Sequence, residues 1–109
     1  MSGFDLERHV TRALAEVLRA RLGPAPMPGR VVVAIEAVEA GLWFFEIEGS
    51  GARLVGEVTP IDATLRAHRL DWIDLFEGVA SMKAALVDGR LELEGDVAVA
   101  SRVCRAIFD

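Results

Sequence analysis

Residues 82–100 have the sequence MKAALVDGRLELEGDVAVA, and this stretch contains the clearest change of pattern in the chain. The apolar residues of Met82–Leu86 predict a short helix that ends at Gly89. The alternation of apolar and charged residues over Arg90–Glu94 predicts a strand. Asp96 is suited to cap a closing helix that runs to the end of the chain. That helix has one apolar face, formed by Val99, Val103 and Ile107.

Four further strand patterns precede this stretch. Val31–Ile35 is a β-branched run, and Trp43–Ile47 alternates between apolar and polar residues after a turn at Ala40-Gly41. The segments Arg53–Val58 and Ile61–Ala67 follow with the same kind of alternation. We expect these four strands to form an antiparallel meander with one apolar face, which needs a cover.

Helical patterns supply that cover. Apolar residues recur at helical spacing over Phe4–Leu22, and either Ser2 or Asp5 can cap the start of this helix. Because a proline-rich connector follows it, this helix is expected to pack as a lid or to reach a neighbouring chain. A second, very apolar helix is predicted over Leu70–Phe76, ending at Gly78. The predicted fold class is therefore α+β, with a sheet covered by helices on one face only.

Length and composition exclude several classes of protein. The chain has 109 residues, which fits a single domain over residues 1–109, and 52% of them are hydrophobic. The net charge of −5 argues against a nucleic-acid partner. No stretch is long and apolar enough to predict stable membrane insertion. Cys104 is the only cysteine, which fits a reducing compartment, and we expect a cytoplasmic protein.

Candidate catalytic and metal-binding groups are sparse. His9 and His68 lie far apart, and no local spacing with Cys104 forms a set of three or four metal ligands. The carboxylates of the pair Asp71 and Asp74 alternate with apolar residues, so we expect them to face solvent rather than a substrate. The sequence predicts no metal, no cofactor and no enzymatic activity.

The stretch described first, together with DATLRA at 62–67 and LDWIDLFEG at 70–78, resembles the sterol carrier protein type 2 family. These segments cover about a third of the chain and stand in the family's order. The resemblance implies a five-stranded mixed β-sheet with helices packed on one face, enclosing an apolar cavity for sterols, fatty acyl chains, isoprenoids or other lipids. It implies no catalytic residues. The chain departs from the family in its short segment before the first strand and in its acidic charge.

The resemblance points to a set of candidate ligand-binding residues, although each of them is also a natural core residue. The function it implies is a non-catalytic carrier of an apolar lipid; the alternative is an accessory or assembly module of the same fold without a free ligand. Both leave a homodimer or a partner protein open. The candidate residues are Phe45, Trp72, Ile73, Phe76, Met82, Leu86, Val99, Val103 and Ile107.

Arginines form a further pattern on the first and last predicted helices. Arg8, Arg12 and Arg19 line one side of the first, and Arg102 and Arg105 lie on the last. Such a row is ordinarily a solvated face. The alternative is a local patch for a lipid headgroup or a partner protein.

Overall fold

Two consecutive helices open the part of the chain that the computed structural model describes, residues 4–108. Helix α1 spans Leu6–Arg12 and α2 spans Leu14–Leu22, so the single helix predicted over residues 4–22 is wrong at Ala13. Ala13 has a φ of −117°, although its N–H still donates to the carbonyl oxygen of His9 at 2.9 Å. The apolar spacing continues across this break, so periodicity alone misses it. The buried residues with this spacing are Leu6, Val10, Leu14, Leu18 and Leu22.

The start of α1 is capped as expected. The backbone N–H of Arg8 donates to Oδ1 of Asp5 at 3.0 Å, whereas the other predicted cap, Ser2, lies outside the described residues. Both helices contribute leucine or valine side chains to the main core. The segment predicted as a lid is therefore part of the packed helical layer.

Within residues 4–108 the chain forms five strands, joined in one sheet. Their bounds are Arg30–Val38 (β1), Gly41–Glu48 (β2), Gly51–Val55 (β3), Ala63–His68 (β4) and Leu91–Gly95 (β5). The spatial order is β3-β2-β1-β4-β5, and the neighbours β1 and β4 run parallel while the other pairs are antiparallel. The mixed sheet implied by the family resemblance is confirmed.

The antiparallel meander predicted for the first four strands is wrong at β4. Residues 56–62 carry the chain from β3 at the sheet edge across β2 and β1, and β4 then pairs with β1 in parallel, with Val33 opposite Ala63. Alternation of side chains is the same in parallel and antiparallel strands, so the sequence pattern does not distinguish them. Ile61, predicted as the first residue of this strand, lies before it and is exposed.

The two faces of the sheet differ in chemistry. Val33, Ile35 and Leu65 point into the core, whereas Glu46 and Arg66 lie on the opposite, charged face. On that face, hydrogen bonds from arginine side chains, that of Arg53 first and then that of Arg30, lower the pKa of the Glu46 carboxyl. That face also carries the buried residues Val32, Ala34 and Phe44, which lie outside the main core formed by the helices and the other face.

The remaining helices of residues 4–108 are α3 (Arg69–Phe76), α4 (Met82–Asp88) and α5 (Val97–Phe108). All three were predicted, and their ends follow the expected signals: Gly89 ends α4 with a φ of +77°, and Oδ1 of Asp96 accepts from the N–H of Val99 at 3.2 Å. Residues from α1 to α5 and from one sheet face form a single buried cluster, so the helices lie on one face as predicted.

Gly95, at the end of β5, is a position where the backbone requires glycine. Its φ is +81°, and a Cβ there would lie 2.6 Å from the carbonyl oxygen of Asp62. The Asp96 N–H donates to that same oxygen at 2.8 Å. This close approach fixes the start of α5 against β4.

Candidate functional site

An aromatic cluster joins α1, α3 and α5 at one end of the helical layer. Phe76 is at its centre: its ring centroid lies 4.5 Å from His9, 5.2 Å from Phe108, 5.7 Å from Trp72 and 5.9 Å from Phe4. The rings of Phe4 and Phe76 are nearly parallel, at 9°. We call these five residues the aromatic cluster.

Trp72 is the buried end of this cluster. Its side chain has no exposed surface, and its Nε1–H donates to the backbone carbonyl oxygen of Glu36 at 2.9 Å. Buried indole groups require such a partner. The bond ties α3 to β1 and fixes the inner wall on which Phe76 stacks.

His9 presents an uncharged ring to the cluster. Partial burial beside Phe4 and Phe76 lowers the pKa of its imidazole from the usual 6.5. The neutral form therefore predominates at pH 7. His9 thus extends the apolar surface of α1 instead of placing a positive charge there.

Two adjoining crevices open to solvent beside the cluster. The aromatic crevice has a volume of about 400 Å³ and lies where α1 and α2 meet the ends of α3 and α5. The second crevice, of about 260 Å³, shares Leu75, Gly78 and Phe108 with it and reaches the start of α4. Of these two crevices, only the aromatic one falls in the size range of small-ligand sites, about 300–1,000 Å³. It is lined by His9, Leu14, Val17, Arg21, Leu75, Phe76, Glu77, Gly78, Ile107 and Phe108.

The sequence-predicted ligand residues separate into two groups. Phe45, Trp72 and Val103 are core residues with at most 1% of their surface exposed, so water-sized space does not adjoin them. Ile107, at 8%, is also buried but lines the aromatic crevice. The half-buried ones are Ile73, Phe76, Met82, Leu86 and Val99.

Only three of the predicted residues line the crevices. Phe76 and Ile107 belong to the aromatic crevice and Met82 to the second one. Two further lining residues, His9 from α1 and Val17 from α2, are not among those predicted from the sequence. The position of Val17 could have been predicted from the sequence, because Leu14, Val17 and Arg21 recur at i, i+3 and i+7 and so share a helix face.

Within residues 4–108 no three histidine, cysteine or carboxylate side chains are arranged to hold a metal ion. Cys104 is fully buried in the core. Glu92 and Glu94 lie on the charged sheet face, where Glu94 is 3.1 Å from Nη1 of Arg66. The same part of the chain contains no helix with the length and apolarity needed to cross a bilayer.

The described residues thus form a mixed sheet with helices on one face and two crevices at the helix ends. The chain belongs to the SCP-2 sterol transfer family, whose model matches residues 13–107. This family consists of lipid-binding and lipid-transfer domains. No curated protein is significantly similar to the chain in sequence.

Solved structures share the fold at low identity. The UbiJ-SCP2 ubiquinone synthesis protein superposes with a TM-score of 0.65 at 17% identity, over 94% of this chain and 96% of its own. Palmitated SCP2L2 from Aedes aegypti gives a TM-score of 0.62 at 19% identity, over 88% and 92%. The sec-alkylsulfatase Pisa1 from Pseudomonas sp. gives 0.68 at 11% identity, over 94% of this chain but 16% of its own. The same fold thus occurs as a small protein and as a minor part of a larger enzyme.

Proposed function

We propose that this chain is a single, non-catalytic domain that binds the apolar chain of a lipid in the aromatic crevice. The observation that carries the proposal is that the rings of Phe76 and Phe108, which line the crevice, both stack on Trp72 in the core. Family membership supports an apolar ligand.

Binding requires some of these side chains to move. Phe76 and Phe108 are only half-buried, so they can rotate toward solvent and admit a chain between α3 and α5. The ligand then contacts Trp72, on which both rings stack. Met82 borders the second crevice with a flexible thioether chain that adapts to irregular ligand shapes.

The energy of such binding is set by apolar area. Burial of about ten methylene groups contributes roughly 8 kcal/mol at about 0.8 kcal/mol each, before the costs of ordering. After those costs, affinity in the micromolar range is the strongest that we expect. A fatty acyl chain, a sterol-like skeleton and an isoprenoid all satisfy this requirement.

The absence of catalysis is part of the proposal. Among the described residues, clear pKa shifts fall on His9, Glu46 and Arg66. Glu46 and Arg66 belong to the charged sheet face, on the far side of the sheet from the crevices. Of these three groups only His9 borders either of the two crevices, and its ring packs against Phe4 and Phe76 instead of a carboxylate that could orient it as a general acid or base.

An accessory or assembly module is the second candidate function. It is favoured by the close packing of Phe45, Trp72 and Val103, which leaves the core between sheet and helices filled by the chain's own side chains. In that case the aromatic crevice receives a partner protein or a second copy of the chain. A cytoplasmic location fits both candidates.

A tryptophan at Val17 should block the crevice. Val17 lies on the crevice wall and is half-buried, so Val17→Trp fills the space with an indole. We expect the Kd for laurate, measured by isothermal titration calorimetry, to rise at least about tenfold, which corresponds to a loss of about 1.4 kcal/mol. The melting temperature should change by only a few degrees, since the new side chain enters open space.

The matched control is Val87→Trp on α4, where the native side chain is 80% exposed and lies outside both crevices. It should leave the Kd for laurate and the melting temperature unchanged. Equal laurate affinity in the Val17→Trp variant and the unmodified protein contradicts the proposed site. A parent protein that binds no laurate contradicts the proposed function itself.

A further inference from the structure

His9 lies on the wall of the aromatic crevice, and histidine is the side chain that ordinarily changes its charge near neutral pH. Its imidazole packs at a tilt against two aromatic rings, with its centroid 5.1 Å from that of Phe4 and 4.5 Å from that of Phe76. The side chain is only half-buried, and the crevice beside it opens to solvent. Water in the crevice of the free protein can therefore reach the imidazole.

The surroundings of His9 favour its neutral form. Burial lowers the pKa of the imidazole, and no carboxylate among residues 4–108 offsets that effect. The charged residues that line the crevice with it are Arg21 from α2 and Glu77, which follows α3, whereas α5 contributes Ile107 and Phe108 to the lining. The charged residues of α1 and its cap are Asp5, Glu7, Arg8 and Arg12. The groups in direct ring contact with His9 within the described part of the chain are the two phenylalanines.

A lipid chain in the aromatic crevice would displace the water that solvates His9. In the free protein an imidazolium can be hydrated through the open side of the crevice, but beside an apolar chain it loses that hydration. Attraction between an imidazolium and the faces of Phe4 and Phe76 is already present in the free protein, so it does not favour the complex. The complex therefore disfavours protonated His9 more strongly than the free protein does.

Resting on the function proposed above, we propose that lipid binding in the aromatic crevice is linked to the protonation of His9, so that mild acid releases the lipid. The neutral imidazole extends the apolar wall, whereas the imidazolium requires the water that the lipid displaces. The apparent Kd is the intrinsic Kd divided by the fraction of protein with neutral His9, so it rises as the pH falls. By reciprocity, bound lipid lowers the pKa of His9 below its value in the free protein.

The test titrates lauryl alcohol, which has no group that titrates in this range, by isothermal titration calorimetry at pH 7.5 and at pH 5.5. These values lie on either side of the ordinary pKa of histidine. For the unmodified protein we expect the Kd to be higher at the lower pH by about threefold or more. His9→Phe keeps an aromatic ring but cannot take up a proton. Whatever its Kd at pH 7.5, the Kd at pH 5.5 should agree with it within about 1.5-fold.

Two variants control for other titrating groups. His68→Asn removes the second histidine, which lies outside both crevices, and asparagine can replace Nδ1 of His68 as the acceptor for the N–H of Leu70. This variant should match the parent at both pH values. Glu77→Gln removes the carboxylate that lines the aromatic crevice, and the ratio of its two Kd values should equal that of the parent.

The reciprocal effect has a separate readout. In an NMR titration of the imidazole resonances, saturating lauryl alcohol should lower the pKa of His9. An equal Kd at both pH values in the unmodified protein overturns the linkage but leaves the proposed function standing, because binding is then observed. A pH dependence that survives in His9→Phe, or that disappears in Glu77→Gln, belongs to another group and overturns the role of His9. No binding of lauryl alcohol at either pH contradicts the proposed function and the linkage together.

Discussion

Val103→Asp is expected to unfold the domain. Val103 has no exposed surface and packs in the main core, so the new carboxylate is placed where neither water nor a cation can reach it. The cost should exceed about 4 kcal/mol, a large part of the roughly 5–15 kcal/mol that stabilises a typical domain. Thermal melting followed by circular dichroism measures it.

The control for this variant lies on the same helix. Val97, in the first turn of α5, is 59% exposed. Val97→Asp therefore makes the same valine-to-aspartate change but places the carboxylate in solvent. A carboxylate there also interacts favourably with the helix N-terminus, and the melting temperature should be unchanged or slightly higher. A Val103→Asp protein that melts like the parent would contradict the packed core and would place a water-filled cavity beside Val103.

Trp72→Ala is expected to have the second largest effect. It removes a fully buried indole that stacks on Phe76 and Phe108, and it breaks the hydrogen bond to the carbonyl oxygen of Glu36. Replacing a buried tryptophan by alanine costs about 3–5 kcal/mol. Chemical denaturation of the variant and the parent measures the difference in the free energy of unfolding.

Two companion variants separate the contributions at Trp72. Trp72→Phe keeps a ring but leaves the Glu36 carbonyl without its donor, at an expected cost of about 1–3 kcal/mol. Leu70→Ala, on the same helix at a residue that is 52% exposed, should cost less than about 1 kcal/mol. Equal effects of Trp72→Ala and Leu70→Ala would contradict the role of Trp72 as the inner wall of the cluster.

The elements of this fold are predictable where a local signal marks them. Asp5 and Asp96 cap helices and Gly89 ends one, and each acts within three or four residues of its own position. The parallel pairing of Val33 with Ala63 has no local signal, because it depends on the path of residues 56–62 across the sheet. The family resemblance, unlike the residue pattern, implied the mixed sheet.

The sequence predicts the types of residue that form the candidate site better than it predicts where those residues lie in the fold. Trp72 and Phe76 were identified as aromatic residues that could serve a ligand, but periodicity does not say that the first is buried and the second lines a crevice. The sequence around His9 gives no indication of its role in the aromatic cluster. Its place against Phe76 depends on how α1 meets α3, which is a tertiary contact with no pattern in the sequence.

Native mass spectrometry of the purified protein tests most directly whether this domain holds a lipid. The proposal predicts a population heavier than the bare chain by the mass of one lipid, which disappears on delipidation. Adding laurate should then restore a single adduct in the parent, and the Val17→Trp variant should show less of it. A spectrum of the bare chain alone, with no laurate adduct even in ligand excess, would contradict lipid binding and favour the assembly module.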